Sequence, residues 1–210
     1  MYGLSLVTPA ATEPVTLDEV RRQLALGDNT THDAMLLTYI AAARDYVERY
    51  TNRQLVTATW DLQIDWFPLG LEPIYLPRGP LQSVTSITYL AAADGASTTW
   101  SSANYRVLTS TDPGKIVPAF SVAYPASRWI AGAVTIRFVA GYGAASAVPA
   151  QLKQAILLLV TNLFESRGGE MFDSDAVKFL LESYRMPDDF LKYERDPTPG
   201  YSQYYQSVYE

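Results

Sequence analysis

The apolar residues of this 210-residue chain change period twice, and no other feature constrains its fold as much. Leu36, Ile40, Ala43, Val47 and Tyr50 recur at helical spacing, one stripe with Arg44, Asp45, Glu48 and Arg49 outside it. From Thr59 the period becomes two: Trp60, Leu62, Ile64 and Trp66 alternate with Asp61, Gln63 and Asp65, the pattern of a half-buried strand. After Pro149 helical spacing returns with Leu152, Ile156, Leu159 and Leu163, widened by Ala155, Leu157, Leu158 and Val160. The order predicts an α+β fold: a small bundle of about four helices, a β-rich insertion between the second and third long helices, and an extended C-terminal arm.

Local signals fill in the boundaries. Pro9 and Pro14 push their predecessors away from helix, so residues 1–15 read as an extended lead. Thr16 and Glu19 have the spacing of a capping box, opening a short helix with Leu17, Val20 and Leu24 on one face and a stop at Gly27. Residues 30–33 supply polar candidates for the next cap, and Thr51-Asn52 closes that helix. Further strands are expected at 74–76, 83–90, 98–100, 105–108, 115–117 and 133–140, separated by turn residues such as Asp94-Gly95 and Asp112-Pro113-Gly114. The Ala140-Gly141-Tyr142-Gly143 run reads as a turn out of the sheet. A fourth helix starts near Ser174, with Val177, Leu180, Leu181 and Tyr184. The helical bundle is thus discontinuous, 16–58 and 144–186, around the insertion at 59–143. Leu36, Ile40, Val47, Tyr50, Leu152, Ile156, Leu159 and Leu163 are its expected core.

Residues 187–210 change character again, with prolines at 187, 197 and 199 and tyrosines at 193, 201, 204, 205 and 209. Solvated tails are normally polar and charged, whereas tyrosine is the residue of contact surfaces. Tyr193, Tyr201, Tyr204, Tyr205 and Tyr209 are therefore expected to dock this arm on another chain, the alternative being an arm folded onto its own subunit.

The chemical stock is thin. Without cysteine there is no disulfide framework, thiolate metal site or thiol nucleophile. The single histidine, His32, stands beside Asp33 at a helix start, where capping or exposure is the ordinary role. No nucleophile elbow, phosphate-binding glycine loop, zinc-helix motif or calcium loop occurs. Asp61 and Asp65 would stand about 13 Å apart on one strand, too far for a glycosidase pair. A net charge of −6 has the wrong sign for gripping phosphates. No apolar run approaches membrane-spanning length, and no secretory leader opens the chain. These features predict a soluble protein made in a cytoplasm, without enzymatic activity, cofactor or metal.

Several stretches together carry a family resemblance: Leu6-Val7-Thr8-Pro9-Ala10 with residues 13–20; residues 40–48 followed by Tyr50-Thr51-Asn52-Arg53; residues 76–84; and residues 138–143 followed by 148–160. In this order, over residues 4–186, they resemble the head–tail connector (adaptor, head-completion) proteins of tailed bacteriophages and of phage-like gene transfer agents. The resemblance implies a structural virion protein, a dodecameric ring bound beneath the portal protein in the neck between capsid and tail. It would extend the channel, let double-stranded DNA pass without specific binding, and present a platform to the stopper or tail-completion protein. By analogy the tyrosine arm is the candidate for contact with the portal. Two readings from other classes stand beside it. One is a carbohydrate-binding or carbohydrate-active protein using Trp60, Trp66, Trp100 and Trp129 on the insertion; the other is a DNA-binding regulator, for which Arg21-Arg22 is the only basic cluster.

Overall fold

The computed structural model describes residues 2–166 and 175–186. Four helices and eight strands follow in the order β1 (Tyr2–Thr8), α1 (Leu17–Gln23), α2 (Asp33–Thr51), β2 (Ala58–Ile64), β3 (Ile74–Tyr75), β4 (Leu81–Leu90), β5 (Ser97–Thr99), β6 (Tyr105–Leu108), β7 (Lys115–Pro118), β8 (Val134–Ala140), α3 (Ala150–Ser166) and α4 (Asp175–Glu182). The fold is α+β, as the double change of period predicts.

Each helix has a local cause. Thr16 and Glu19 form the full capping box: the Glu19 amide donates to the Thr16 hydroxyl, and the Glu19 carboxylate accepts from the Thr16 amide at 2.6 Å. That bond holds the Glu19 carboxyl below its ordinary pKa. The stripe on α2 buries Leu36, Ile40, Ala43 and Val47 against Leu152, Ala155, Ile156, Leu159 and Val160 of α3, and Val177 and Leu181 of α4 join them. Asn52 closes α2 in the left-handed conformation, a favoured residue there after glycine.

β8 is the spine of the larger sheet. Its alternation buries Val134, Ile136, Phe138 and Ala140 and turns Thr135 and Arg137 outward. It pairs with β2 on one side, Leu62 opposite Ile136, and with β4 on the other, Ile87 opposite Ile136. The antiparallel order is β1-β2-β8-β4-β5, and a three-stranded sheet, β3-β7-β6, lies alongside. Side chains from both sheets make a second apolar cluster, with Leu62, Ile64, Leu76, Ile87, Ile116 and Phe138 in its interior.

Three local readings differ from the sequence analysis. The extended lead is a true strand over Tyr2–Thr8, hydrogen-bonded to β2 with Leu4 opposite Leu62 and Leu6 opposite Trp60. Seven residues with only Leu4 and Leu6 alternating give a weak period, so the partner strand supplies the order. The alternation through Trp66 stops at Ile64: the chain bends at Asp65, and Phe67 rather than Trp66 enters the core. Glu48, grouped with the solvated face of α2, is 7% exposed.

The helices meet the sheet through backbone as well as side chains. The Gly141-Tyr142-Gly143 turn leaves β8 and bonds the segment that follows α2: Tyr142 donates its amide to the Leu55 carbonyl at 3.0 Å, and Thr57 donates to the Gly143 carbonyl at 3.0 Å. Gly141 sits at φ +125°, and a Cβ there would stand 2.8 Å from the Thr57 nitrogen. Only glycine meets both conditions.

Candidate assembly surfaces

Four regions hold the side chains a contact surface could use. The first is the junction between α2 and the sheet, and its centre is the buried carboxylate of Glu48. One oxygen accepts from the Gln54 side-chain amide at 2.7 Å and from the Leu55 backbone amide at 3.0 Å; the other faces the Arg44 guanidinium at 3.5 Å. Arg44 also pairs with Glu13 at 2.9 Å. Gln54 accepts from the Trp60 indole at 3.0 Å, and Arg78 lies over that ring while donating to the Glu48 carbonyl at 3.1 Å. Burial pushes the Glu48 carboxyl above its ordinary pKa, against the lowering effects of the Leu55 amide and the two guanidiniums. Beside this network lies a cleft of about 100 Å³, lined by Leu6, Pro9, Arg44, Gln54, Trp60 and Arg78 among others. Arg53 completes the junction, ion-paired to Asp112 and donating to the Tyr184 carbonyl, so it ties the end of α4 to the β region.

The second region is the end of the large sheet where β2 stops and β8 starts. Trp66 and Trp129 stack there with ring centroids 5.5 Å apart, and Asp65 accepts from the Gly132 amide at 2.9 Å. Trp129 is 74% exposed, with Ile130 beside it. The third is a set of exposed apolar side chains elsewhere: Met35 and Leu37 on α2, Leu69 and Leu71 after β2, Phe120 at 97% exposure, and Phe179 on α4. The fourth is the open edge of β1, where Leu6 and Val7 are exposed.

Leu36, Ile40, Val47, Leu152, Ile156, Leu159 and Leu163 are all buried. Tyr50 is half-buried at the margin of that cluster, and its hydroxyl donates to Glu182 at 3.0 Å. Tyr193, Tyr201, Tyr204, Tyr205 and Tyr209 lie outside the described residues. His32 stands at the N-cap of α2 but makes no side-chain cap bond; its ring packs edge-on against Phe164 at 5.4 Å. Asp33 instead receives the Arg21 guanidinium, which ties α1 to α2. Asp61 is occupied by Arg137, its cross-strand partner, through two bonds of 2.8 Å.

The four tryptophans do not share a platform. Trp100 is buried among Phe67, Tyr105 and Tyr124, and Trp60 is covered by Arg78. Only Trp66 and Trp129 come together. Among the described residues no group of three or more His, Cys, Asp or Glu could hold a metal ion, and no helix is long and apolar enough to cross a membrane.

Sequence reasoning missed the Glu48 network. A signal was there: Arg44 and Glu48 stand four apart on α2, and Glu48 follows Val47 at the margin of the apolar stripe. That spacing alone reads as a surface pair. Only the arrival of Gln54, Trp60 and Arg78 from three other segments makes it an interior one.

Comparison with known proteins falls on the same chain segments. Residues 14–113, from the start of α1 to the turn before β7, match the family described as phage gp6-like head-tail connector protein. No curated protein matches the sequence. Among solved structures, a chain in the "Neck of empty GTA particle computed with C6 symmetry" shares 28% identity, with a TM-score of 0.74 over 88% of this chain and 96% of that one. A chain in the "Virion of native gene transfer agent (GTA) particle" shares 29% identity, with a TM-score of 0.71 over 88% and 95%. A third, in the "Neck of native GTA particle computed with C12 symmetry", shares 26% identity, with a TM-score of 0.71 over 88% and 96%. Residues 14–113 thus resemble the phage gp6-like head–tail connector family in sequence, and the fold over 88% of the chain is similar to that of chains in gene transfer agent necks.

Proposed function

We propose that this chain is a structural protein of the neck of a phage or gene transfer agent particle. Twelve copies form a ring beneath the portal, extend the DNA channel, and present the platform on which the stopper or tail-completion protein settles. The observation that carries the reading is near end-to-end likeness: the chain covers 96% of a chain found in a gene transfer agent neck at 28% identity. Necks computed with C6 and C12 symmetry support a ring and are compatible with twelve copies.

The physics of the chain suits the task. A lumen that passes DNA must not hold it, and a net charge of −6 avoids strong phosphate attraction. A closed ring repeats one head-to-tail contact, so each subunit needs two different complementary surfaces. The exposed apolar side chains and the open β1 edge offer material for both. The tyrosine arm, 187–210, reaches another chain in this reading.

The test is particle assembly in cells that lack the protein. Packed heads without tails are expected, with tails restored when the gene is supplied in trans. Normal tailed particles in its absence would overturn the reading.

A further inference from the structure

Two of the stretches that stand out in the sequence, residues 50–53 and 76–84, meet at Arg53. The Arg53 and Arg78 backbones form a parallel bridge, and the Gln54 amide donates to the Gly79 carbonyl at 3.1 Å. Arg53 is buried, and arginine tolerates burial only where its fork of donors is engaged. One donor goes to the Tyr184 carbonyl, just past the end of α4, and another to the Asp112 carboxylate, in the turn between β6 and β7. The Tyr142 hydroxyl, in the turn that leaves β8, lies beside the same guanidinium.

The chain that follows α4 is seated on this arginine as a short strap. Met186 is buried, and its amide donates to the Thr51 carbonyl at 2.9 Å. Its methyl group occupies the space over Gly79, where a Cβ would stand 2.7 Å from it and 3.2 Å from an Asp112 oxygen. The strap thus touches the insertion directly at Gly79 and, through Arg53, at Asp112. Its own attachment is slight: α4 has eight residues and buries Val177 and Leu181. Elements with few buried contacts are the ones that open first. On the far side, the Asp112 turn runs straight into β7, with the Gly114 carbonyl accepting from the Leu76 amide at 2.8 Å. β7 ends at Pro118, two residues before the fully exposed Phe120.

We propose that residues 184–186 act as a latch with two positions. Seated, the latch keeps Arg53 out of water and on Asp112, which fixes the turn that starts β7. Drawn off, it exposes the guanidinium, and an ion pair in water is worth little, so the turn, β7 and the Phe120 loop loosen together. A partner that pulls on the chain beyond residue 186 and a partner that sits on the smaller sheet are then coupled through Arg53, and linkage makes that coupling reciprocal. The latch goes beyond the neck reading and does not depend on it.

Hydrogen exchange on the full-length protein reads the latch from both ends. Asp112→Ala alters only the insertion end, at a side chain that is half exposed, so the fold is kept. The Tyr184 and Met186 amides are expected to exchange at least about tenfold faster in it, with Ile40 and Ile156 of the bundle core unchanged. Met186→Gly alters only the strap end, and there the Leu76 amide and those of β7 are expected to quicken to a similar degree. Arg53→Lys keeps the charge but loses the fork that spans both acceptors, and is expected to quicken both sets. Met186→Gly that quickens exchange only at 184–186, or Asp112→Ala that leaves Tyr184 and Met186 at the wild-type rate, would overturn the proposal. Quickening at Ile40 and Ile156 in step with the other amides would also overturn it, by showing a general loss of stability in place of a latch.

Discussion

Glu48→Ala is expected to lower the stability of the protein by about 3–5 kcal/mol at neutral pH. The carboxylate is buried, and removing it leaves Arg44 without its i,i+4 partner and the Gln54 and Leu55 donors without their acceptor. The cost comes from leaving these groups desolvated, since a buried pair measured against an apolar replacement contributes much less. Glu48→Gln retains an acceptor for the Leu55 amide and is expected to cost only about 1–2 kcal/mol. The two variants also separate in pH. Because the folded state raises the Glu48 pKa, it binds that proton more tightly than the unfolded chain does. The proton-linked part of the Glu48 contribution is therefore greatest below the ordinary carboxylate pKa and is lost as pH rises through the folded value, while the contacts to Gln54, Leu55 and Arg44 remain. Urea melts from pH 4 to 8 are expected to show wild type losing ground to Glu48→Gln as pH rises through that window. A flat difference between the two, or an alanine variant within about 1 kcal/mol of wild type, would show that the junction is solvated.

Gly141→Val is expected to cost at least about 3 kcal/mol and to loosen the join between helices and sheet. Two terms add there. A φ of +125° is closed to a β-branched residue, and the new Cβ would be driven into the Thr57 backbone at 2.8 Å. Relaxing either means moving the turn, which breaks the Gly141 amide bond to the Pro80 carbonyl and the Gln82 bond to the Gly141 carbonyl. Hydrogen exchange is expected to quicken at Leu55, Thr57, Tyr142 and Gly143 before it does so at Ile136 or Phe138. Uniform quickening across the protein would contradict a local join. Gly143→Ala makes a useful comparison, since a Cβ there meets nothing nearer than Ala147 at 3.5 Å, and its cost is the φ term alone.

The sequence made the α+β order legible because periodicity is a local property. The α2 stripe, the capping box at Thr16 and the alternation on β8 each depend on neighbours within one element. What stayed illegible depended on distant segments. Glu48 is interior only because residues 54, 60 and 78 converge on it, and β1 is a strand only because β2 offers it a partner. Trp66 leaves the alternation because the chain bends at Asp65, which is held by the amide of Gly132 from another loop. The surfaces were the least visible. Nothing in the spacing of Trp129, Phe120 or Leu71 separates an exposed apolar side chain from a buried one, and the resemblance to head–tail connectors supplied what patterning could not.

Native mass spectrometry of the purified full-length protein, alone and mixed with its portal, tests the central claim most directly. The account predicts a closed oligomer of twelve copies, formed either unaided or on the portal ring, with the portal retained in the complex. A monomer that stays monomeric and ignores the portal under both conditions would contradict it.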